Sequence, residues 1–146
     1  MLLLKRKKNW GLPSGKRLTR LTLTSEAASR LPSPRRGEIW SADLESPPTR
    51  HWVLIVSLDS RNQSENVDTV LIVPFGSHGA EGPTTILLPP GETGLPVASW
   101  LKGHFITTLP KARLRDRAPR ALSSRRMREV CFIIRRAFDP DAPWEG

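Results

Sequence analysis

Residues 50–62 read Arg50-His51-Trp52-Val53-Leu54-Ile55-Val56-Ser57-Leu58-Asp59-Ser60-Arg61-Asn62, and we expect the rest of the chain to fold around them. Positions 53–56 are apolar throughout, which is typical of a strand covered on both faces. The run is too short for a buried helix, and the polar residues after it favour a turn. The guanidinium of Arg50, the imidazole of His51 and the indole of Trp52 come directly before this run. We therefore expect a central strand that holds Arg50 and His51 at one wall of a site, because a rigid backbone fixes such groups.

Short apolar segments on either side of this run predict further strands. They are residues 37–44, 69–75, 84–88 and 97–109. Pro74 should end the second of these segments, because proline cannot donate to a ladder, and Gly103 should mark a bulge or corner in the last. Several short strands followed by one helix indicate a mainly β fold with a C-terminal helix, built as a small barrel.

The apolar period becomes helical after Leu122. Met127, Val130 and Ile134 recur at helical spacing, and Ser123 is suited to cap the N-terminus of this helix. The single cysteine, Cys131, falls within the apolar run and is expected to be buried and inert. One cysteine and three scattered histidines predict no metal site and no cofactor.

Positive charge is concentrated in two parts of the chain. The 146 residues carry a net charge of +9, and residues 1–36 alone hold ten Lys or Arg against one acid. Residues 102–136 hold eleven basic residues against two acids. Two such zones favour a polyanionic partner, with nucleic acid the foremost candidate, although a solvated basic tail and a charged helix face would look the same.

The N-terminal part is rich in Gly, Pro, Ser and basic residues and shows little periodicity. We interpret residues 1–34 as a flexible basic arm, in which residues 18–31 could form a short helix, and residues 35–146 as the folded domain. The basic residues 5–8 follow Leu2-Leu3-Leu4, which is the wrong order for a signal peptide, and no segment reaches the length of a membrane span. The expected location is the cytoplasm.

The order of several motifs resembles the MazF/PemK family of toxin–antitoxin endoribonucleases. The motifs are Arg36-Gly37-Glu38-Ile39-Trp40, the Val-Leu-Ile-Val-Ser-x-Asp-x-x-Asn run of residues 53–62, Leu71-Ile72-Val73-Pro74-Phe75, Gly94-Leu95-Pro96 and residues 106–114. The resemblance covers about residues 35–138. It implies a small SH3-like barrel of the CcdB/MazF type that forms a homodimer, binds an antitoxin protein and cleaves single-stranded RNA without a metal.

The sequence departs from the family pattern where the resemblance would place the catalytic groups. The family has an Arg-Pro pair at the head of the central strand, where this chain has His51-Trp52 with Arg50 one step earlier. An imidazole is better suited than a guanidinium to transfer protons near neutral pH. The family threonine falls on Gly76, followed by Ser77, and a basic-x-Asp motif becomes Lys102-Gly103-His104.

RNA supplies its own nucleophile, so one proton acceptor, one cation and one hydroxyl within reach of the phosphate would suffice for cleavage. The candidate catalytic residues are Arg50, His51, Ser77, Lys102 and His104, with the two imidazoles moving protons. Further RNA contacts are expected from basic and hydroxyl side chains of the same motifs, namely Arg35, Arg36, Arg61, Thr107, Thr108 and Lys111.

Three functions remain open from the sequence. The first is a toxin that cleaves single-stranded RNA to a 2′,3′-cyclic phosphate. The second is a catalytically degenerate barrel of the same fold that binds nucleic acid or a protein partner. The third, gyrase poisoning, rests on analogy of fold alone.

Overall fold

The computed structural model describes residues 31–44 and 49–144. Most of the predicted basic arm, including the short helix expected over residues 18–31, lies outside this range. The described part contains seven strands, three helices and two 3₁₀ turns. In chain order they are β1 (Glu38–Asp43), β2 (Arg50–Ile55), α1 (Asp59–Asn62), β3 (Thr69–Gly76), β4 (Thr85–Leu88), α2 (Pro90–Thr93), β5 (Ser99–Lys102), a 3₁₀ turn (Gly103–Phe105), β6 (Thr107–Pro110), a second 3₁₀ turn (Lys111–Arg113), β7 (Leu114–Ala121) and α3 (Ser124–Arg135).

All strand pairs are antiparallel, and the sheet runs in the order β4-β5-β3-β2-β1-β7 with β6 paired to β3. The prediction of a mainly β fold with a C-terminal helix is confirmed. Among the strands of the described part no pairing joins β7 to β6 or to β4, so the sheet is not closed into a ring.

Strand β2 is covered on both faces, as its unbroken apolar run predicts. Val53, Leu54 and Ile55 are completely buried. Leu54 packs into one hydrophobic cluster with the face of α3, whereas Val53 and Ile55 pack into a second cluster on the other side of the sheet. The interior of β2 therefore joins two cores, and its first residues extend beyond them.

The prediction that Pro74 ends its strand is wrong, because β3 continues to Gly76. Pairing with β2 reaches Pro74, which lies opposite Val53, and pairing with β5 begins at the next residue, Phe75. On the edge of β3 opposite β2, pairing with β6 ends at Ile72 and pairing with β5 begins at Phe75. The proline therefore lies in the gap between these two partners, a position that tolerates the loss of one backbone donor.

Helix α3 begins as predicted, with the Ser123 hydroxyl accepting a hydrogen bond of 3.2 Å from the backbone of Arg126. Its buried side chains are Met127, Val130 and Ile133. The expectation that Cys131 is buried is wrong, because residue 131 falls outside the arc that these three residues define. The Cys131 sulfur instead accepts a hydrogen bond of 3.0 Å from the guanidinium of Arg36.

Candidate functional site

A cleft of about 250 Å³ lies where the ends of β2 and β3 meet the segment that leads into β5. Because Val53 stands opposite Pro74 in the antiparallel pair, residues 50–52 and 75–77 are neighbours at this end of the sheet. The lining residues come from three separate parts of the chain and are Arg50, His51, Trp52, Phe75, Gly76, Ser77, Leu95, Val97, Ala98 and Ser99.

Three of the predicted catalytic residues share this cleft. Arg50, His51 and Ser77 all line it, and Gly76 adds no side chain to the wall between them. Neither the half-buried His51 nor the exposed Ser77 has a side-chain hydrogen-bond partner among residues 31–44 and 49–144. An imidazole and a hydroxyl are therefore open to a ligand at the mouth of the cleft.

Arg50 carries its charge on a loosely held guanidinium. Its side chain is 59% exposed and lies 3.8 Å from a carboxylate oxygen of Asp43 and 3.8 Å from one of Asp116. Arg115 binds Asp43 much more closely, at 2.6 and 2.7 Å. Because exposed pairs at such long distances contribute little, a phosphate could replace both carboxylates at Arg50.

The structure places Lys102 and His104 outside the residues that line the cleft. The Nδ1 atom of His104 lies 2.8 Å from the hydroxyl of Thr84, and its ring meets the ring of Phe105 edge-on with centroids 4.6 Å apart. The ammonium of Lys102 lies over the same ring, 5.4 Å from its centroid. The two residues thus form a cluster around an exposed aromatic side chain.

Two of the predicted RNA contacts are already used within the protein. The guanidinium of Arg61 donates to the carbonyl and the hydroxyl of Thr69, at 2.5 and 2.9 Å. Lys111 is only 4% exposed, and its ammonium donates to the carbonyl of Ser64 at 3.0 Å. Burial, aided by the charge of Arg61, holds the pKa of Lys111 below its ordinary value, against the opposing effect of Asp68. Both side chains fix the connection between α1 and β3.

The other predicted RNA contacts lie at or near the surface. Thr107 and Thr108 are exposed on β6, and the side chain of Arg35 makes no ion pair within the described residues. The backbone nitrogens of Arg35 and Arg36 donate at 2.6 Å to the carboxylates of Glu38 and Asp59. These contacts anchor the chain where it enters β1.

Sequence reasoning missed the third wall of the cleft and the aromatic side chain beside Lys102. Val97 is 62% exposed in that wall, and Phe105 is 51% exposed. No sequence pattern around Val97 predicts the wall, because the wall forms only when residues 95–99 fold back onto β2 and β3. The glycine at position 103 was the one available clue to the turn that presents Phe105.

Residues 31–44 and 49–144 contain no group of three or more His, Cys, Asp or Glu side chains placed to hold a metal ion. None of the helices in that part of the chain is long and apolar enough to cross a membrane.

Several solved structures share this fold. An endoribonuclease from Mycobacterial species shares 23% identity with a TM-score of 0.63, covering 80% of this chain and 99% of its own. An endoribonuclease in complex with its cognate antitoxin, also from Mycobacterial species, shares 24% identity with a TM-score of 0.63, covering 77% and 99%. MazE-MazF from Deinococcus radiodurans shares 15% identity with a TM-score of 0.59, covering 74% and 97%.

These likenesses establish a common fold. A comparison with curated protein sequences found no match. The family described as the PemK-like, MazF-like toxin of type II toxin-antitoxin systems matches residues 35–138, which is most of the chain and includes every strand, the cleft and helix α3. This chain therefore belongs to the PemK/MazF family of toxins of type II toxin–antitoxin systems.

Proposed function

We propose that this toxin is an endoribonuclease that cleaves single-stranded RNA to a 2′,3′-cyclic phosphate and a 5′-hydroxyl without a metal. The observation that carries the proposal is the cleft in which Arg50, His51 and Ser77 meet. It offers one proton acceptor, one cation and one hydroxyl, which are the groups that this transesterification needs. The structural neighbours described as endoribonucleases support the same reading.

In this proposal the chemistry centres on His51. Its imidazole takes the proton from the 2′-hydroxyl, whose oxygen attacks the adjacent phosphorus, and the bond to the 5′-oxygen breaks. Arg50 stabilises the negative charge of the phosphorane, and the hydroxyl of Ser77 donates to a non-bridging oxygen. The departing 5′-oxygen takes a proton from water, because the cleft is open and His104 does not line it.

The test is incubation of the full chain with a long single-stranded RNA in the presence of a chelator, followed by mapping of the new ends. We expect cyclic-phosphate ends that decrease about 100-fold or more in His51→Ala, since a general base contributes this much. His78→Ala is the matched control, because His78 is exposed and does not line the cleft. Cleavage that survives in His51→Ala would refute this assignment of the base.

A second variant separates two versions of the mechanism. His104→Ala should retain the cleavage rate at saturating RNA if His51 works alone. If His104→Ala instead loses the cleavage rate while its RNA affinity is unchanged, His51 and His104 act together in proton transfer.

The second candidate is a non-catalytic member of the same fold that binds nucleic acid. One observation favours it, namely that only one of the two histidines at the expected site positions lines the cleft. In that case the protein would bind single-stranded RNA tightly, with affinity that falls steeply as salt rises, and would release no cyclic-phosphate ends.

The proposed partners are a cognate antitoxin protein and a second copy of this chain, with the cytoplasm as the place of action. Two solved neighbours contain an antitoxin. The net charge of +9 suits an acidic antitoxin segment, and the exposed Val97 offers apolar surface for a subunit contact. Light scattering of the purified toxin, alone and with a co-expressed antitoxin, measures both associations.

We also propose that residues 1–34 act as a basic arm on the RNA, distinct from the folded domain 35–146. Ten basic residues within positions 1–36 support this. Removal of residues 1–33 should weaken RNA binding and reduce its salt dependence. An unchanged affinity and salt slope would exclude the arm as an RNA contact.

A further inference from the structure

Phe105 is an aromatic side chain that neither core uses. It is 51% exposed and is absent from both hydrophobic clusters and from the partly buried residues that pack on them. Single exposed apolar residues are common and need no special explanation, so the significance of Phe105 depends on its surroundings.

Basic groups surround the Phe105 ring. The Lys102 ammonium lies over the ring at 5.4 Å from the centroid, and the His104 ring meets its edge at 4.6 Å with the planes 63° apart. The contact between Nδ1 of His104 and Thr84 fixes the imidazole and leaves its Nε2 atom unpartnered among the described residues.

The turn that presents Phe105 is packed closely between helix α3 and the start of β4. A Cβ built on Gly103 would lie 2.7 Å from the backbone nitrogen of Ile134, so the turn is pressed against helix α3. The 3₁₀ turn at 103–105 is also tied to β4, because the Gly103 nitrogen donates to the carbonyl of Thr84 at 2.7 Å. A fixed aromatic ring loses little conformational freedom when a flat ligand stacks on it.

Strand β5 connects the cleft to the cluster. Ser99, at the start of β5, lines the cleft, and Lys102 ends the strand three residues later. This spacing corresponds to roughly 10 Å at about 3.3 Å per residue. The cleft and the cluster are therefore close enough for one strand of RNA to reach both.

We propose that Phe105, with Lys102 and His104 beside it, is a stacking platform for a base of single-stranded RNA next to the cleft. Proteins bind single strands by stacking bases on aromatic rings while cations hold the backbone, and this cluster supplies both groups. The proposal rests on the proposed function, because it assigns a second contact to the same substrate. It moves Lys102 and His104 from the catalytic residues to substrate binding.

Charge favours RNA over an apolar peptide as the occupant. The two side chains that contact the ring are a lysine and a histidine, and neither contact involves a carboxylate. The segment 102–136 as a whole holds eleven basic residues against two acids. A purely apolar partner would gain nothing from these cations.

The experiment measures binding of the full chain to short single-stranded RNAs in which every 2′-hydroxyl is replaced by a methoxy group, so that cleavage cannot occur. Fluorescence anisotropy gives the affinity of the wild type and of Phe105→Ala, Phe105→Leu and Phe105→Trp. Phe138→Ala is the matched control, because Phe138 is 72% exposed and makes no ring contact among the described residues. A 2-aminopurine base in the RNA reports stacking through quenching of its fluorescence.

We expect Phe105→Ala and Phe105→Leu to weaken binding about tenfold or more and to reduce the quenching, and Phe105→Trp to retain both. Leucine keeps apolar bulk without an aromatic face, so wild-type affinity in Phe105→Leu would overturn the platform. A loss in Phe105→Ala no larger than in Phe138→Ala would do the same. A fall in molar mass of Phe105→Ala by light scattering would assign the ring to a subunit contact instead.

The result can be separated from the proposed function because the probe is not cleavable. Binding that depends on Phe105 in a protein that releases no cyclic phosphate would refute the nuclease and support the platform. If the protein cleaves RNA but the Phe105 variants bind the uncleavable RNA as tightly as the wild type, the nuclease is supported and the platform is refuted.

Discussion

Gly103 and Ile133 meet through their backbones, at the point where the turn after β5 crosses helix α3. A Cβ on Gly103 would lie 2.5 Å from the carbonyl carbon of Ile133 and 2.7 Å from the nitrogen of Ile134. Because real Cβ atoms do not approach backbone atoms so closely, only glycine allows the helix to pack at this distance. The contact joins the sheet to α3 and holds Phe105 in place.

We expect Gly103→Ala to lower the free energy of unfolding by about 3 kcal/mol, since the helix backbone cannot yield locally. The matched control is Gly91→Ala, because a Cβ at Gly91 meets nothing within 4 Å. Urea unfolding followed by circular dichroism measures both. Equal stability of the two variants would show that the helix shifts freely.

The side chain of Asn62 should be essential to the connection between β2 and β3. It is fully buried, its amide donates to the carbonyl of Ser57 at 2.8 Å, and it accepts from the Ser57 hydroxyl. That hydroxyl in turn accepts from the nitrogen of Leu71 at 3.0 Å. Asn62→Leu should cost about 2–3 kcal/mol, because it leaves these buried groups without a partner. Ser60→Ala, at an exposed position of α1, is the control and should be neutral.

The ion pair between Glu92 and Arg126 should make stability depend on acid pH. Arg126 donates to both carboxylate oxygens of Glu92, at 2.6 and 2.9 Å, and this lowers the pKa of Glu92 below its ordinary value of 4.5. The stabilisation is therefore fully present above pH 4.5 and is lost as the pH falls through the lowered pKa.

Glu92→Gln should cost about 1 kcal/mol at neutral pH, and this difference from the wild type should vanish in acid. Thermal unfolding of both proteins from neutral to acid pH measures this difference in stability. The control is Glu65→Gln, whose carboxylate is exposed and has no partner among the described residues. If the stability difference between the wild type and Glu92→Gln is the same at every pH, the ion pair is not its cause.

The buried Lys111 predicts a pH dependence of the same sign at alkaline pH, because its pKa is also lowered in the folded protein. Its pKa is lowered in the folded protein, mainly by burial, so the unfolded chain holds more protons between that lowered pKa and the ordinary value of 10.5. Stability relative to Lys111→Met should therefore rise as the pH increases through this window. Paired urea titrations from neutral pH to 10.5 measure the change. If the difference in the free energy of unfolding between the wild type and Lys111→Met does not change with pH, burial does not alter the titration of Lys111 on folding.

The sequence was a good guide wherever a pattern reports burial along a single element. The apolar run at 53–55 gave a strand buried on both faces, and Ser123 gave the start of α3. The prediction for Pro74 was wrong because the local rule assumes one continuous neighbour, whereas one edge of β3 pairs first with β6 and then with β5, and Pro74 lies between them. Cys131 misled because apolar neighbours in sequence do not share one face of a helix.

The site was accessible from the sequence only in part. The family resemblance pointed to Arg50, His51 and Ser77, which the fold does bring to one cleft. Burial of Lys111 depends on the connection between α1 and β3, and the wall at 95–99 depends on long-range contacts. No hydrophobic period or motif in the local sequence predicts the burial of Lys111 or the wall formed by residues 95–99.

The first strand of the sheet pairs with the last, since β1 lies between β2 and β7. During translation this means that one edge of β1 stays without its neighbour until residue 121 has left the ribosome. Contacts so distant along the chain form slowly. A nascent copy of this toxin therefore cannot complete its sheet until the last strand has emerged.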